Sequence, residues 1–315
     1  MTTEMTTDSL SRARGCLLGQ LAGDALGSLV EFQTPEQIRH AYPDGLRELA
    51  AGGTWNTLAG QPTDDSEMAL MLARMLIKHG GFDTTAARAA YRDWFDSWPF
   101  DCGMTVADGL SGTPNPTSQA NGALMRISPL GIFGARYPLA QVADWARQDA
   151  ALTHPHPVCR EANALYARGI AYAIGTGDAA PAVYAAILAW ARAGNVPPSL
   201  LAATEAAADG PPASYVHQQG WVLIAWRNAL WQLLHAPTLE AGVVDTVTRG
   251  GDTDTNAAIA GALLGAVYGE EAIPSQWTRC VLNCRPQEGM PGVHQPRPPV
   301  FWPVDALEVA AALLG

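Results

Sequence analysis

Leu10, Leu17, Leu18, Leu21, Ala25, Leu26 and Leu29 recur at helical spacing behind Asp8, a residue suited to a helix start. They predict a first helix running to about Val30. Asp24 falls on the same apolar stripe as Leu17 and Leu21, so its carboxylate is expected to be buried and to need a partner. The segment from Gly45 to Gln61 is Gly-rich and polar and reads as a loop. Ser66 to His79 predicts a strong helix ended by Gly80 and Gly81, and Thr84 to Trp94 another. The stretch around Trp98–Gly131 is broken by Gly, Pro and Asn, with a short helix over Val106–Leu110 and a further apolar helix containing Leu124 and Ile127.

From Leu139 the pattern is helical almost throughout. It predicts helices over Ala140–Ala150, Pro157–Thr176, Ala180–Ala193, Leu200–Ala208, Trp221–His235 and Thr238–Thr248, then one after "GGDTDT", and a last one over Val304–Leu314. Strand-like alternation never lasts beyond a few residues, which predicts an all-α fold. No internal linker divides the chain, so a single domain over residues 1–315 is expected, a compact orthogonal helical bundle. Residues 1–8 are expected as a disordered tail, and the proline-rich segment 285–303 as an irregular strap over the surface.

A second periodicity is carried by glycine. Gly19, Gly23 and Gly27 lie four apart on the first helix, and Gly261, Gly265 and Gly269 lie four apart on the helix after "GGDTDT". Glycine costs about 1 kcal/mol relative to alanine inside a helix. Six at this spacing suggest surfaces where backbones approach closely, and the two helices are expected to cross at the centre of the fold. The alternative is that each packs a different large side chain.

Composition narrows the function classes. The chain has 315 residues, nearly half hydrophobic, enough for a sizeable core. Its net charge is −11, with Lys and Arg scattered, so no basic stripe is present to follow a phosphate backbone and nucleic acid is not expected as a partner. The five cysteines form no regular framework, which reads as free thiols in a reducing cytoplasm. Neither a signal peptide nor a long uninterrupted apolar span is visible, so no membrane partner is expected.

Three acidic patches carry the candidate chemistry: Glu31 at the end of the first helix, "TDDS" at Thr63–Ser66, and "GDTDT" at Gly251–Thr255. Each of the last two also reads as a helix cap, and Asp64 with Glu67 has the spacing of a capping box. Yet each supplies more oxygen ligands than one helix start requires, and only Arg249 stands beside either cluster. Negative charge gathered without cations calls for a metal, and oxygen-only donors favour Mg²⁺, Mn²⁺ or Ca²⁺ over zinc. If the glycine helices cross, Glu31 lies near Asp252 and Asp254, an arrangement suited to a pair of ions and to hydrolysis.

The segments "GCLLGQLAGDALGSLVEF", "PTDDSEMAL", "PFDCGMT", "NGALMRISPLGIF", "LTHPHP" and "RGGDTDTNAAIAGALLGAVYG" occur in the order and character of one family. In them the chain resembles the ADP-ribosylglycohydrolases, which include dinitrogenase reductase-activating glycohydrolases and ADP-ribosylarginine and ADP-ribosylserine hydrolases. The likeness runs from about Ser11 to Gly269. It implies an all-α fold with a binuclear centre of two Mg²⁺ or Mn²⁺ ions in a central cleft that binds ADP-ribose. By position, the implied metal ligands are Glu31, Thr63, Asp64, Asp65, Asp252, Asp254 and Thr255, with Asp24 anchoring behind them.

Breaking the bond at the anomeric carbon of ribose builds oxocarbenium-like charge, which calls for flanking carboxylates and an activated water. The resemblance gives that catalytic work to Asp101 as base or water-orienting group, together with Glu31 and Asp65. It implies that Gly103, Ser118, Asn121, Gly122, His154 and Trp221 bind substrate, the "TSQANG" loop lying on the diphosphate. Without the resemblance Asp101 reads as a turn residue, "NG" as a turn, His154 as part of a loop before a helix, and Trp221 as core. Trp221 stands where several relatives have Tyr, and Ser66 where threonine is usual.

The implied activity is metal-dependent hydrolysis of ADP-ribose from a modified protein side chain, with arginine favoured because Asp101 is present. The partners are then an ADP-ribosylated protein and free ADP-ribose as product, the enzyme acting as a monomer. Three other readings stay open: cleavage of serine-linked, poly- or small-molecule ADP-ribose conjugates, an inactive ADP-ribose-binding or crystallin-like protein, and, from the carboxylates alone, a two-metal phosphohydrolase.

Overall fold

The structure is a computed structural model and describes residues 7–315. Among these residues are fifteen α-helices, three 3₁₀ turns and no strand, which meets the all-α expectation. The first half carries α1 (Thr7–Gly27), α2 (Pro35–Ala41), α3 (Asp64–His79), α4 (Thr84–Phe95), α5 (Met104–Leu110), α6 (Ser128–Gly134) and α7 (Leu139–Ala151). The second carries α8 (Pro157–Thr176), α9 (Ala180–Ala193), α10 (Pro198–Ala206), α11 (Val222–His235), α12 (Leu239–Thr248), α13 (Thr253–Tyr268), α14 (Ser275–Asn283) and α15 (Ala306–Leu314). No helix among the described residues is long and apolar enough to cross a membrane.

Most expected helices form within two residues of their predicted ends. The first is an exception: α1 stops at Gly27, and Ser28–Val30 turn away from it, with Val30 N–H on the Gly27 carbonyl at 3.0 Å. Asp8 lies inside the first turn of α1, where it pairs with Arg12 at 3.1 Å. Residues 1–6 of the expected tail lie outside the described residues, while Thr7 and Asp8 belong to α1.

Three helices were not legible from the pattern. α2 starts on a capping box between Thr34 and Gln37 with Pro35 in its first position, and α6 and α14 are equally short. Seven to nine residues give too few repeats to declare a period. The expected apolar helix containing Leu124 and Ile127 is absent. Residues 121–126 form successive turns and α6 begins only at Ser128, with Pro129 behind it.

Two helices make the centre. α13 is buried along its length from Thr253 to Val267, as a helix apolar on every face must be. α1 lies antiparallel against it, Gly15 facing Gly265, Gly19 facing Gly261, Gly23 facing Ala257 and Gly27 facing Asp254. A Cβ on any of these four glycines would fall well inside van der Waals contact of the opposing backbone. The crossing predicted from glycine spacing is therefore formed, although Gly23 meets alanine and Gly269 packs on Ser11 beyond the helix end. α11 and α12 pack on the outer side of α13, and α15 on α1.

The strap is irregular, as its prolines require, but it is not wholly on the surface. Arg297 leaves it to enter the interior, where its guanidinium meets Glu67 of α3 at 2.8 Å with both side chains almost fully buried. It also bonds the Ser97 and Trp98 carbonyls, tying the strap to the loop that follows α4. Glu67 is thereby engaged by Arg297 and by the Trp94 indole N–H, so the capping box expected with Asp64 does not form.

Two stability outcomes follow. Gly19→Ala is expected to destabilise the chain by at least the 1–3 kcal/mol typical of an overfilled core, while Gly81→Ala, which meets open space, leaves denaturant midpoints unchanged. Arg297→Met strips a buried carboxylate of its cation and is expected to cost about 3–5 kcal/mol. Urea unfolding of the variants checks both.

Candidate active site

The antiparallel crossing sets where the acidic residues go. Because Gly27 abuts the backbone of Thr253 and Asp254, the end of α1 meets the start of α13. Thr253 Oγ1 donates to the Gly27 carbonyl at 2.7 Å, satisfying one open acceptor of α1. Beyond it, Phe32 N–H donates to the Gly251 carbonyl at 2.8 Å and Gly251 N–H to the Gln33 carbonyl at 3.0 Å. Gly250 and Gly251 sit at φ 73° and 78°, and a side chain at either would strike the Gln33 or Tyr215 carbonyl. This clasp holds Glu31 beside Asp252 and Asp254.

The second acidic patch arrives on α3. Asp24, buried within α1, accepts from Thr63 N–H at 3.0 Å, from Ser66 N–H at 3.1 Å and from Thr63 Oγ1 at 2.9 Å. It thus caps α3 from a different helix, which supplies the partner its place on the apolar stripe demanded. Asp64 and Asp65 are left free of capping duty.

A cleft of about 360 Å³ opens where these elements meet, bordered by Glu31, Asp64, Asp101, Asp252, Asp254 and Thr255. One carboxylate oxygen from each of Glu31, Asp101 and Asp254 lies within 4.8 Å of the other two. Asp101 thus shares the cluster with expected metal ligands. Thr63 and Asp65 stand just behind the wall, Thr63 Oγ1 bonding Asp65 Oδ2 at 2.9 Å. Among the described residues no lysine or arginine borders the cleft.

Electrostatics follow from that arrangement. Burial, with Asp101 and Asp252 nearby, pushes Glu31 up to about 8. Burial and then Asp252 raise Asp101 to about 7, and burial raises Asp24 to about 6 against its hydrogen bonds. Asp64, Asp65 and Asp254 are raised well above the usual carboxylate range by burial and then by neighbouring carboxylates, first Asp101, Asp24 and Glu31 respectively. Asp65 Oδ1 is fully buried without a hydrogen-bond partner. A set of buried oxygens with no counter-cation and an unsatisfied carboxylate oxygen fits divalent, hard cations.

The substrate-side residues divide. Gly103, which starts α5, lines the cleft and turns its N–H toward Asp64 Oδ2 at 3.4 Å. Asn121 lines it and donates to Asp252 Oδ2 at 2.6 Å. Gly122 and His154 lie together in the lining, and His154 is fully buried. Ser118 is not part of the lining; it bonds Thr105 Oγ1, which is. Trp221 joins its backbone to Ala120 but lends its ring to a separate groove of about 530 Å³, with its indole N–H on Gln119. Gly220, the residue before it, lines the cleft itself.

Trp55 escaped the sequence pattern. Its indole N–H donates to Glu31 Oε2 at 2.6 Å. It sits in the loop read from Gly45 to Gln61, and a bulky indole in so Gly-rich a segment was the available signal. Phe32, exposed and at φ 67°, also borders the cleft unannounced by any period.

Fold and site together define the class: an all-α chain with an acidic, cation-fitting cleft between two helix termini. The sequence profile of the ADP-ribosylglycohydrolase family matches residues 5–294, and the chain belongs to that family. It is 32% identical over 277 residues to the ADP-ribosyl-[dinitrogen reductase] glycohydrolase of Rhodospirillum rubrum, covering 84% of this chain and 88% of that protein. It is 27% identical over 292 residues to the ADP-ribosylarginine hydrolase Tri1 of Pseudomonas putida (strain GB-1), covering 87% and 75%. A solved structure described as an ADP-ribosylglycohydrolase-related protein complex superposes with a TM-score of 0.80 at 26% identity, over 98% of this chain and 99% of that one.

The raised carboxylates give a pH signature. Each takes up its proton more readily folded than unfolded, so its contribution to stability is full below about pH 4, the unfolded carboxylate range. That contribution is lost as pH rises through about 6 for Asp24, about 7 for Asp101 and about 8 for Glu31. In chelator, Tm is expected to fall between about pH 5 and about pH 8, and Mn²⁺ is expected to raise Tm more at the higher pH, where the ligands are ionised. A Tm in chelator that climbs over this window would contradict the assignment.

Proposed function

We propose that this protein is a metal-dependent hydrolase that removes ADP-ribose from modified side chains, arginine-linked ADP-ribose being its substrate. The observation that carries the reading is the convergence of Glu31, Asp101 and Asp254 in a cleft bordered by no lysine or arginine among the described residues. Family membership and the similarity to an enzyme named for ADP-ribosylarginine support it.

Glu31, Thr63, Asp64, Asp65, Asp252, Asp254 and Thr255 would hold two Mg²⁺ or Mn²⁺ ions. Bound there, such ions acidify water and orient substrate oxygens. Asp101 is assigned to take a proton from the attacking water, a role supported by burial that holds its carboxyl near neutrality, where a general base works best. Glu31 keeps negative charge beside the carbon that becomes oxocarbenium-like, and Asp65 adds its charge from behind the wall. Asn121 orients Asp252 through its amide, and Trp55 orients Glu31 through its indole. Gly103, Gly122 and His154 form the wall on which the ADP-ribose moiety rests. Ser118 shapes this wall through Thr105. The enzyme is proposed to work as a monomer in the cytoplasm.

The test is release of free ADP-ribose from matched arginine-linked and serine-linked conjugates, with Mg²⁺ or Mn²⁺ and with chelator. Metal-dependent release from the arginine conjugate is expected. Release from the serine conjugate alone would move the linkage, and release of AMP or phosphate would overturn the reaction class. Asp101→Asn is expected to lower kcat by about 10²-fold or more while Mn²⁺ affinity changes only a few-fold; unchanged kcat would remove Asp101 from proton transfer.

A further inference from the structure

Behind the cleft wall at His154 runs a fully buried polar chain that the proposed chemistry does not use. Arg126 stands on α6's approach, Asp149 on α7, and Thr153 and His154 in the turn before α8; all four are fully buried. Asp149 receives the Arg126 Nε–H at 3.2 Å and the Tyr91 hydroxyl at 2.7 Å. Arg126 is further held with its guanidinium 4.3 Å from the Tyr91 ring centre. Its Nη1 reaches Thr153 Oγ1 at 2.9 Å, and Thr153 Oγ1 lies 2.8 Å from His154 Nδ1.

Donor counting fixes the direction of every proton in this chain. A guanidinium can only donate, so the Thr153 oxygen accepts from Arg126. Among the described contacts the Thr153 hydroxyl proton then has one acceptor, His154 Nδ1. A neutral imidazole that accepts at Nδ1 carries its proton on Nε2. The reverse arrangement would leave the Thr153 proton without an acceptor and a bare lone pair at Nε2. Burial and the Arg126 charge push His154 down to about 3, so the ring is neutral at working pH.

His154 Nε2 is buried, has no hydrogen-bond partner, and belongs to a residue bordering the cleft. Gly122 lies over it: a Cβ there would stand 3.2 Å from Cε1 and 3.3 Å from Nε2. Buried polar atoms of folded proteins are almost always paired, so an exception at a cleft calls for a partner such as a water, an ion or a ligand atom.

We propose that Arg126 and Thr153 are positioning residues that lock His154 in its Nε2–H form, as a fixed neutral donor to an acceptor oxygen of the ADP-ribose moiety. The inference rests on the reading of the cleft as an ADP-ribose site. It makes His154 a binding group that takes no part in proton transfer.

The test begins with long-range ¹H–¹⁵N spectra of the wild-type protein, which distinguish protonated from bare ring nitrogens without any substrate. Protonated Nε2 and bare Nδ1 are expected for His154. Thr153→Val, equal in shape but without the hydroxyl, is expected to mix the two tautomers. It should also weaken ADP-ribose binding by the metal-loaded protein about 3- to 10-fold, with KM raised and kcat held; Thr153→Ser should restore both. A proton on Nδ1 in the wild type, or ADP-ribose bound as tightly by Thr153→Val, overturns the proposal. Wild-type protein with the Nε2–H form that binds no ADP-ribose overturns the proposed function, and with it the ligand assigned to His154, while leaving the lock itself established.

Discussion

The backbone-to-backbone packing of α1 on α13 is the constraint on which the site depends. Only glycine lets two helices approach until carbonyls of one meet Cα atoms of the other, and Gly15, Gly19, Gly23 and Gly27 present such a surface along α1. The register of that contact places Gly27 on Asp254, so the last turn of one helix is held against the first turn of the other. Glu31 follows from one side and Asp252 and Asp254 from the other. A slip of one helical turn would separate these carboxylates by about 5.4 Å along the axis, enough to dismantle a cluster whose oxygens lie within 4.8 Å.

Several costly groups are stabilised by distant elements of the chain. Asp24 is buried in α1 and is satisfied by the open N–H groups of α3. The same contact frees Asp64 and Asp65 from capping their own helix. Glu67, one turn further on, is neutralised by Arg297 from the strap. Arg126 and Asp149 are completely buried as a pair and bear on the cleft only through Thr153 and His154. Around an acidic, cation-hungry wall the fold thus builds a supporting layer in which each buried charge has a named partner. The cleft carboxylates are the exception, and their unmet charge is the property that suits them to metal and to hydrolysis.

Legibility in the sequence was uneven. Long periods such as those of α3, α8 and α11 could be read directly, because an apolar face repeated over several turns fits little besides a helix packed on a core. α2, α6 and α14 could not, since they are held by caps, prolines and packing. The acidic clusters announced themselves by composition. Trp55 did not, because nothing local shows that a loop indole will reach Glu31 across the fold. Nor does the chain show that Gly220 lines the cleft while Trp221 beside it borders a neighbouring groove.

By itself the sequence determined the helical class, the close approach of two glycine-bearing helices and the supply of oxygen donors, since each depends on periodicity or on residue chemistry that survives in one dimension. The tertiary structure alone decided that Asp101 joins Glu31 and Asp254, that Asp24 caps a helix not its own, and that Arg126 reaches His154 through Thr153. Those are distances between residues far apart in the chain, fixed by helix register and packing to fractions of an ångström. No local pattern encodes them.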